Sequence, residues 1–274
     1  MAYRAVSERS LMLILIKGAG DLASGIALRL HHAGLSIVMT DLPKPTSIRR
    51  TVCFSEAIVH GTAQVEDVGA RRAEGAEDAL EILRCGEIPI FADPEASCRL
   101  VLHPDAVVDA ILAKKNLGTR LTDARAVVGV GPGFTAGVDC HAVVETQRGH
   151  TLGRVYTRGS AAPNTGVPGN IGGYTVERII RAPKDGLFCP VREIGDLVEA
   201  GETVAYVDDA AVTCRISGVL RGILPRETPV FSGMKSGDVD PRAKREHCFT
   251  VSDKALAVGG GVLEAVLMLL HRKG

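Results

Sequence analysis

The sequence has no excess of charge of either sign and no long hydrophobic run. Its 32 basic residues balance 32 acidic ones, so no strong field draws the chain to nucleic acid or to an anionic membrane surface. Residues 11–16 are apolar but too few to cross a bilayer, and residues 262–270 are about half of the ~20 that a spanning helix needs. We therefore expect a cytoplasmic protein with no nucleic-acid or membrane partner.

Paired cysteines and the common hydrolase motifs are also missing. The seven cysteines include no C-x-x-C spacing, which argues against a zinc ribbon or a dithiol centre, so we predict no metal site. Most thiols are expected in the core, with Cys140 and Cys248 as the two to test for reactivity. The motifs G-x-x-x-x-G-K-[ST], H-E-x-x-H and G-x-S-x-G are absent, so P-loop hydrolysis, zincin proteolysis and nucleophile-elbow chemistry lack their residues.

What is present begins with an alternation of strand and helix patterns. Residues 11–16 and 36–40 are typical of buried strands, and residues 21–31 between them place apolar side chains on one helix face. A helical pattern at residues 77–83 and apolar runs at residues 88–92, 106–112 and 126–130 continue the series. The fold class predicted is α/β, with a Rossmann-like, mostly parallel sheet.

The sharpest local signal is G-A-G-D-L-A at residues 18–23, which lies between the first strand and the first helix. Gly18 permits the tight turn, Gly20 lets a phosphate approach the backbone, and the helix N-terminus favours an anion. Asp41 ends the second strand, where a carboxylate accepts hydrogen bonds from ribose. We predict ligand contacts from Gly18, Gly20, Asp21, Ser24 and Asp41. Arg49 and Arg50 are predicted surface charges, with contact to an extra phosphate as the alternative.

A second group of candidates lies in the loops after the later strands and in the glycine-rich residues 129–173. Loops at the carboxyl ends of parallel strands line the ligand crevice, and glycine-rich turns present free N–H groups to anions. The predicted binding residues here are Asn116, Gly131, Gly133, Thr135, Arg148 and Asn164. The candidate catalytic residues are Lys114, His150 and Cys140.

After Arg181 the sequence repeats with a shift of 32 residues, so that Gly186, Val198 and Gly201 match Gly218, Val230 and Gly233. Two such halves predict a small pseudo-symmetric barrel or sandwich. The order D-G, G-D-x-V-x-x-G resembles the barrel-sandwich of the biotinyl/lipoyl type, which carries its modified lysine at the hairpin between the halves. The hairpin between the halves, residues 207–212, contains no lysine, so a covalent swinging arm is not expected. The predicted domains are residues 1–178 (Rossmann-like), 179–242 (barrel-sandwich) and 243–274 (a C-terminal helix that packs back on the first domain).

Long motifs along the chain resemble the YqeB-type proteins of the selenium-dependent molybdenum hydroxylase system. The motifs that carry this resemblance occupy residues 16–34, 107–119, 131–150, 164–171, 237–242 and 252–265. The resemblance implies an accessory role in maturing molybdenum hydroxylases, with those enzymes or other cofactor-maturation proteins as partners and a homo-oligomer left open. It transfers no catalytic residue to this chain.

Three functions follow from these observations. The first is an accessory protein that binds a nucleotide-bearing, dinucleotide or molybdopterin-type cofactor, with its phosphates at the first helix and its head in the glycine-rich loops. The second is an NAD(P)-dependent oxidoreductase with His150 or Lys114 as the acid/base group. The third is a non-enzymatic scaffold whose barrel-like module docks a partner.

Overall fold

The structure, a computed structural model, describes residues 12–271 and is built around one large sheet of nine strands. In chain order these are β1 (Leu13–Lys17), β2 (Ser36–Asp41), β3 (Thr62–Val65), β4 (Val68–Arg72), β5 (Ile88–Ala92), β6 (Ala106–Asp109), β7 (Ala126–Val130), β8 (Ala142–Val144) and β9 (Val155–Tyr156). Their spatial order is β3-β4-β5-β2-β1-β6-β7-β8-β9. All neighbouring pairs are parallel except β3–β4 and β8–β9 at the two edges.

The predicted α/β class with a mostly parallel sheet is confirmed, and the elements differ from expectation mainly at their ends. The strands predicted at residues 88–92 and 126–130 have those bounds, whereas β6 ends at Asp109 rather than at residue 112. Position 11 of the first predicted strand lies outside the described residues. The edge hairpin of β3 and β4 was not predicted.

Five α-helices accompany the sheets in the described part of the chain. They are α1 (Asp21–His32), α2 (Glu56–His60), α3 (Ala76–Arg84), α4 (Arg99–Leu102) and α5 (Asp253–His271). Alternate side chains of the central strands point to opposite faces, so Ile14 and Ile16 pack with α1 and α5, while Leu15 packs with α3 and α4 on the other side. The parallel sheet is thus covered on both faces, as such sheets require.

The predicted C-terminal helix is α5, which packs on the parallel sheet and continues through its three glycines. Ser252 Oγ accepts a hydrogen bond from the main-chain N–H of Ala255 and caps the helix. A Cβ at Gly261 would lie 2.1 Å from the carbonyl oxygen of Gly153, and a Cβ at Gly259 would lie 2.8 Å from Cγ of Arg29. The glycines therefore permit close packing of α5 on its neighbours.

Within the described part of the chain, α5 is the helix with the length and hydropathy of a membrane span. Its buried side chains Val258, Val262 and Val266 belong to the hydrophobic core that also contains α1 and β7. Burial of this kind is typical of the core helix of a globular domain, which is the role expected for it.

Residues 179–240 form two antiparallel sheets of four strands each. The strands are β10 (Ile179–Arg181), β11 (Gly186–Pro190), β12 (Leu197–Val198), β13 (Thr203–Val207), β14 (Ala210–Thr213), β15 (Gly218–Ile223), β16 (Thr228–Val230) and β17 (Lys235–Asp240). The sheet orders are β10-β17-β15-β12 and β14-β13-β11-β16, and both sheets contribute side chains to one apolar core.

The 32-residue repeat corresponds to an exchange of strands between the two sheets. A shift of 32 residues places β11 on β15, β12 on β16 and β13 on β17. The middle strand of each half, β12 or β16, pairs within the sheet that the other two strands of the opposite half form. The matched Gly186 and Gly218 both have positive φ, and each faces the matched aspartate, Asp208 or Asp240. The repeat predicted from the sequence is therefore a structural one.

Candidate functional site

A cavity of about 600 Å³ lies at the carboxyl ends of β1, β2 and β6. The central parallel strands have the spatial order β5-β2-β1-β6-β7, so the chain direction across the sheet reverses between β1 and β6. Ligands of open α/β sheets bind beside such a switch point. The lining includes the end of β1 at Lys17, the start of α1, and residues 110–112 after β6. We call this space the first cavity.

The predicted glycine turn forms one wall of the first cavity. Gly18 has φ of +95°, and a Cβ there would lie 2.9 Å from the carbonyl oxygen of Ala110. Gly20 precedes α1 in an extended conformation, and no side chain caps the helix at this end. The N–H groups of the first turn, which have no intrahelical acceptor, are therefore available to an anion.

Two predicted ligand residues, Asp41 and Ser24, form hydrogen bonds with the main chain of Ala19 in this turn. Asp41 lines the cavity, but its Oδ2 accepts the N–H of Ala19 at 2.7 Å and its Oδ1 accepts the N–H of Leu42 at 2.7 Å. Burial raises the pKa of Asp41, and these two hydrogen bonds oppose the rise. Ser24 is fully buried and bonds to Ala19 O and Phe54 N. The prediction that Ser24 contacts a ligand is wrong, because its hydroxyl is enclosed by the protein.

Asp21 lines the first cavity and forms a bidentate ion pair with Arg49 at 2.8 and 2.9 Å. Arg49 is 5% exposed and also donates to the carbonyl oxygens of His247 and Thr250. The surface position expected for Arg49 is wrong, because this side chain connects the turn to the segment that follows β17. The ion pair with Arg49 also neutralises the Asp21 carboxylate, which would otherwise repel a phosphate at the start of α1.

A buried polar network below the first cavity was not predicted. Lys17 Nζ donates to Thr119 Oγ1 at 2.7 Å, and that hydroxyl donates to Asp109 Oδ2 at 2.6 Å. The Lys17 ammonium lies 3.5 Å from the same carboxylate oxygen, and both side chains are almost completely buried. This network joins the ends of β1 and β6 at the switch point. A lysine at the end of a buried strand was its only sequence signal.

A second cavity of about 630 Å³ adjoins the first and shares Leu112 and Lys235 with it. Its walls come from the loop after β6, residues 146–148, residues 162–169, and the N-terminus of α5 at Lys254. Lys235 is the first residue of β17, so the antiparallel module contributes directly to both cavities. Lys114, Arg148 and Asn164, all predicted site residues, line the second cavity.

The loop that carries Arg148 is held in place by a buried carboxylate. Glu145 is 1% exposed and accepts the N–H groups of Thr146, Gln147 and Ala162 at 2.7 to 2.8 Å. Arg148 itself forms a bidentate pair with Asp253 at 2.7 and 2.8 Å. The wall of the second cavity is thus fixed to the first residue of α5.

Five predicted residues of the later loops line neither cavity among the described residues. Asn116 is used within its own loop, where it accepts the N–H groups of Gly118 and Thr119 and donates to Asp139. A Cβ at Gly133 would lie 2.6 Å from the main-chain N of Lys115. Asn116, Gly131, Gly133 and Thr135 thus lie outside both cavities, and their contact with a ligand stays a prediction. His150 is exposed and also lies outside both cavities.

Cys140, the third catalytic candidate, is completely buried in a small core beside Phe134 and Val143. Burial raises the pKa of its thiol to about 11, so the reactive thiolate is scarce at neutral pH. Cys248, also singled out for reactivity, is equally buried. Burial therefore disfavours the reactivity for which these two thiols were singled out, because neither side chain meets solvent.

Alkylation of the native protein with iodoacetamide should therefore modify Cys85, which is exposed, and leave Cys140 unmodified. Peptide mass spectrometry after a timed reaction measures the two rates, and the Cys85→Ser variant serves as the control that lacks the fast site. Denaturant should make Cys140 as reactive as Cys85. Equal rates in the native protein would contradict the buried position of Cys140.

Within residues 12–271 no group of three His, Cys, Asp or Glu side chains is arranged to hold a metal ion. No protein-family model matches the chain. The chain is 49% identical over 260 residues to the uncharacterized protein YqeB of Escherichia coli (strain K12); the match covers 95% of this chain and 48% of that protein. The chain thus spans about half the length of this curated relative. The identity supports the YqeB-family likeness found in the motifs.

Two solved structures show weak similarity. A succinylglutamate desuccinylase/aspartoacylase from Rhodobacter sphaeroides matches 23% of this chain and 21% of its own at 25% identity, with a TM-score of 0.21. An aspartoacylase family protein from Mesorhizobium loti matches 83% of this chain and 84% of its own at 12% identity, with a TM-score of 0.26.

Proposed function

Starting from its likeness to YqeB, we propose that this chain is an accessory protein in the maturation of selenium-dependent molybdenum hydroxylases. It binds a nucleotide-bearing or molybdopterin-type cofactor and passes it on to a hydroxylase. The observation that carries the binding role is the first cavity, placed at the switch point of the parallel sheet and open to the uncapped N-terminus of α1.

The residues present fit a phosphate-bearing ligand of this kind. The N–H groups from Gly20 to Ala23 supply donors for a phosphate, and Arg49 neutralises Asp21 beside them. Thr40, Leu42 and Ile111 add a largely apolar wall on which a ring system can pack. The adjoining second cavity extends the space beyond what a mononucleotide needs, and a dinucleotide form of a pterin cofactor would use both.

We also propose that residues 179–242 adopt the barrel-sandwich arrangement of biotinyl and lipoyl domains. The exchange of β12 and β16 between the two sheets supports this proposal. The turn between β13 and β14 consists of Asp208 and Asp209, so there is no lysine to modify there. In this proposal the module is a wall of the binding cleft, because it places Lys235 between the two cavities.

Cargo analysis tests the function most directly. Full-length protein isolated anaerobically would be studied by native mass spectrometry, together with metal and selenium analysis. Retention or uptake of a molybdopterin or nucleotide is the expected result. Failure to retain or bind either class would overturn the proposal.

The variant Gly20→Ala should weaken binding of that cofactor without unfolding the protein. Gly20 has an ordinary negative φ, and an added Cβ would lie 3.3 Å from Ser47 Oγ, a side chain that also lines the first cavity. Loss of one charge-assisted hydrogen bond predicts a roughly 10- to 100-fold higher Kd, measured by isothermal titration calorimetry.

The matched control for this variant is Gly75→Ala. Gly75 precedes α3 in a similar extended conformation, but an added Cβ has no neighbour within 4 Å and the residue lines neither cavity. Its cofactor Kd should equal that of the wild type. Equal Kd values for wild type and Gly20→Ala would remove the first cavity from the binding site.

The second candidate function, an NAD(P)-dependent oxidoreductase, is favoured by the position of Asp41 at the rim of the first cavity. Fluorescence titration with NADH and NADPH separates the two functions. Binding at micromolar concentrations with no affinity for pterins would favour the oxidoreductase, whereas no binding in the millimolar range would exclude it.

A further inference from the structure

The second cavity has an unusual concentration of positive charge for a chain with no net charge. Five basic side chains line it, and the described residues contribute no Asp or Glu to its lining. The five are Lys114, Arg148, Arg181, Lys235 and Lys254. The first cavity, in contrast, is lined by both signs, because Asp21, Asp41 and Glu95 accompany Lys17, Arg49 and Lys235.

Three of the five cations, Lys114, Lys235 and Lys254, have neither a hydrogen bond nor an ion pair with the described residues. Arg148 differs from them because Asp253 binds it, and Arg181 donates to the carbonyl oxygen of Gly233. The pKa values of Lys235 and Lys254 are lowered, mainly because the surrounding protein desolvates the ammonium group. The pKa of Lys235 is lowered in this way even though its side chain is exposed within the cleft.

Lys254 occupies a position that is unfavourable for a lysine. It is the second residue of α5, where the helix dipole and the free N–H groups disfavour a cation. The positive charges of Arg148 and Lys235 also disfavour its charge, whereas the carboxylates of Asp21 and Glu145 favour it without contacting it. Three effects thus oppose the charge of Lys254, and the protein supplies no counter-charge in direct contact. An anion in the second cavity would relieve all three.

We infer that the second cavity is a subsite for a second phosphate-type anion of the bound ligand, held by Lys114, Lys235 and Lys254. This inference rests on the proposed function for the identity of the ligand. It adds that the ligand carries two separated anionic groups, one at the N-terminus of α1 and one at the N-terminus of α5. Lys235, which lines both cavities, lies between the two groups.

The test uses inorganic phosphate as the probe and the full-length protein. In the Gly20→Ala background, which weakens the first cavity, calorimetry should still detect phosphate binding. The additional change Lys254→Ala should raise the phosphate Kd by roughly tenfold or more, which corresponds to one lost charge-assisted hydrogen bond. Lys114→Ala should act in the same direction.

The matched control is Lys115→Ala, because Lys115 is exposed beside Lys114 and lines neither cavity. Its phosphate Kd should equal that of the background. The melting temperature of Lys254→Ala should not fall, since the change removes a cation from a helix N-terminus. A weaker phosphate complex in Lys254→Ala therefore cannot be assigned to unfolding.

Two outcomes separate this inference from the proposed function. If Lys254→Ala and Lys114→Ala bind phosphate like the background, while native mass spectrometry detects a bound pterin or nucleotide, the second subsite is overturned and the proposed function stands. If phosphate binding depends on Lys254 but no pterin or nucleotide is retained or bound, the anion subsite stands and the proposed function falls.

Discussion

Gly261→Ala should destabilise the protein by about 2 kcal/mol or more, whereas Gly260→Ala next to it should stabilise it by roughly 0.5–1 kcal/mol. A Cβ at position 261 would lie 2.1 Å from the main-chain oxygen of Gly153 and 2.9 Å from Val144 Cγ1. Neither the backbone nor the buried valine has room to move. A Cβ at position 260 meets no atom within 4 Å and simply improves helix propensity.

Urea unfolding curves of the two variants measure both effects. Each glycine is its neighbour's control, because the chemical change is the same and only the surroundings differ. Gly261→Ala should also weaken ligand binding, since the N–H of Gly153 donates to the carbonyl oxygen of Glu145 in the loop that places Arg148 in the wall of the second cavity. Similar stability changes in the two variants would contradict the close contact between α5 and this loop.

Asp238→Ala should destabilise the protein by roughly 3–5 kcal/mol, the usual cost of removing one partner of a buried ion pair. Asp238 accepts two hydrogen bonds from Arg178 Nη2, at 2.8 and 3.1 Å, and lies 4.0 Å from Arg221. All three side chains are less than 10% exposed. Without the carboxylate, the buried Arg178 would keep only the carbonyl oxygen of Gly169 as an acceptor, while Arg221 would keep Asp240 at 4.0 Å.

The control for this prediction is Asp209→Ala, which removes the partner of Lys184 from an ion pair on the surface. Solvent screens such a pair, so the unfolding transition should not move. Thermal and urea unfolding of both variants provide the comparison. A small effect of Asp238→Ala would mean that Arg178 and Arg221 reach water in the variant, and that β17 tolerates rearrangement next to Lys235.

The strand, turn and helix around the glycine turn at residues 18–20 could be located from the sequence, because each depends only on nearby residues. Gly18 requires positive φ, Gly20 needs space at a helix start, and apolar periodicity defines β1 and α1. The 32-residue repeat could also be found from the sequence, since matched glycines recur wherever the two halves make the same turn. Cys140 was misjudged because its neighbours in sequence are polar whereas its neighbours in space are Val127, Phe134 and Val143.

Other residues could not be assigned from the sequence because their roles depend on partners far along the chain. Asp41 was predicted to accept hydrogen bonds from ribose, but its hydrogen bond from the N–H of Ala19, 22 positions away, could not be foreseen. Lys235 and Lys254 had no motif around them, and they meet only because the antiparallel module and the N-terminus of α5 converge beside the loop after β6. Arg49 looked like a surface charge until its contact with Asp21 was known.

The sequence by itself determined the mostly parallel sheet, the glycine turn at residues 18–20, the repeated β module and the C-terminal helix, since each depends on spacing over a few residues to a few tens of residues. Tertiary structure alone decided which charges are paired and which face a cavity. Pairing is a matter of distance in space, and residues such as Arg49 and His247 are 198 positions apart in the chain. The two cavities, and the unpaired lysines that line them, depend on such distances in space.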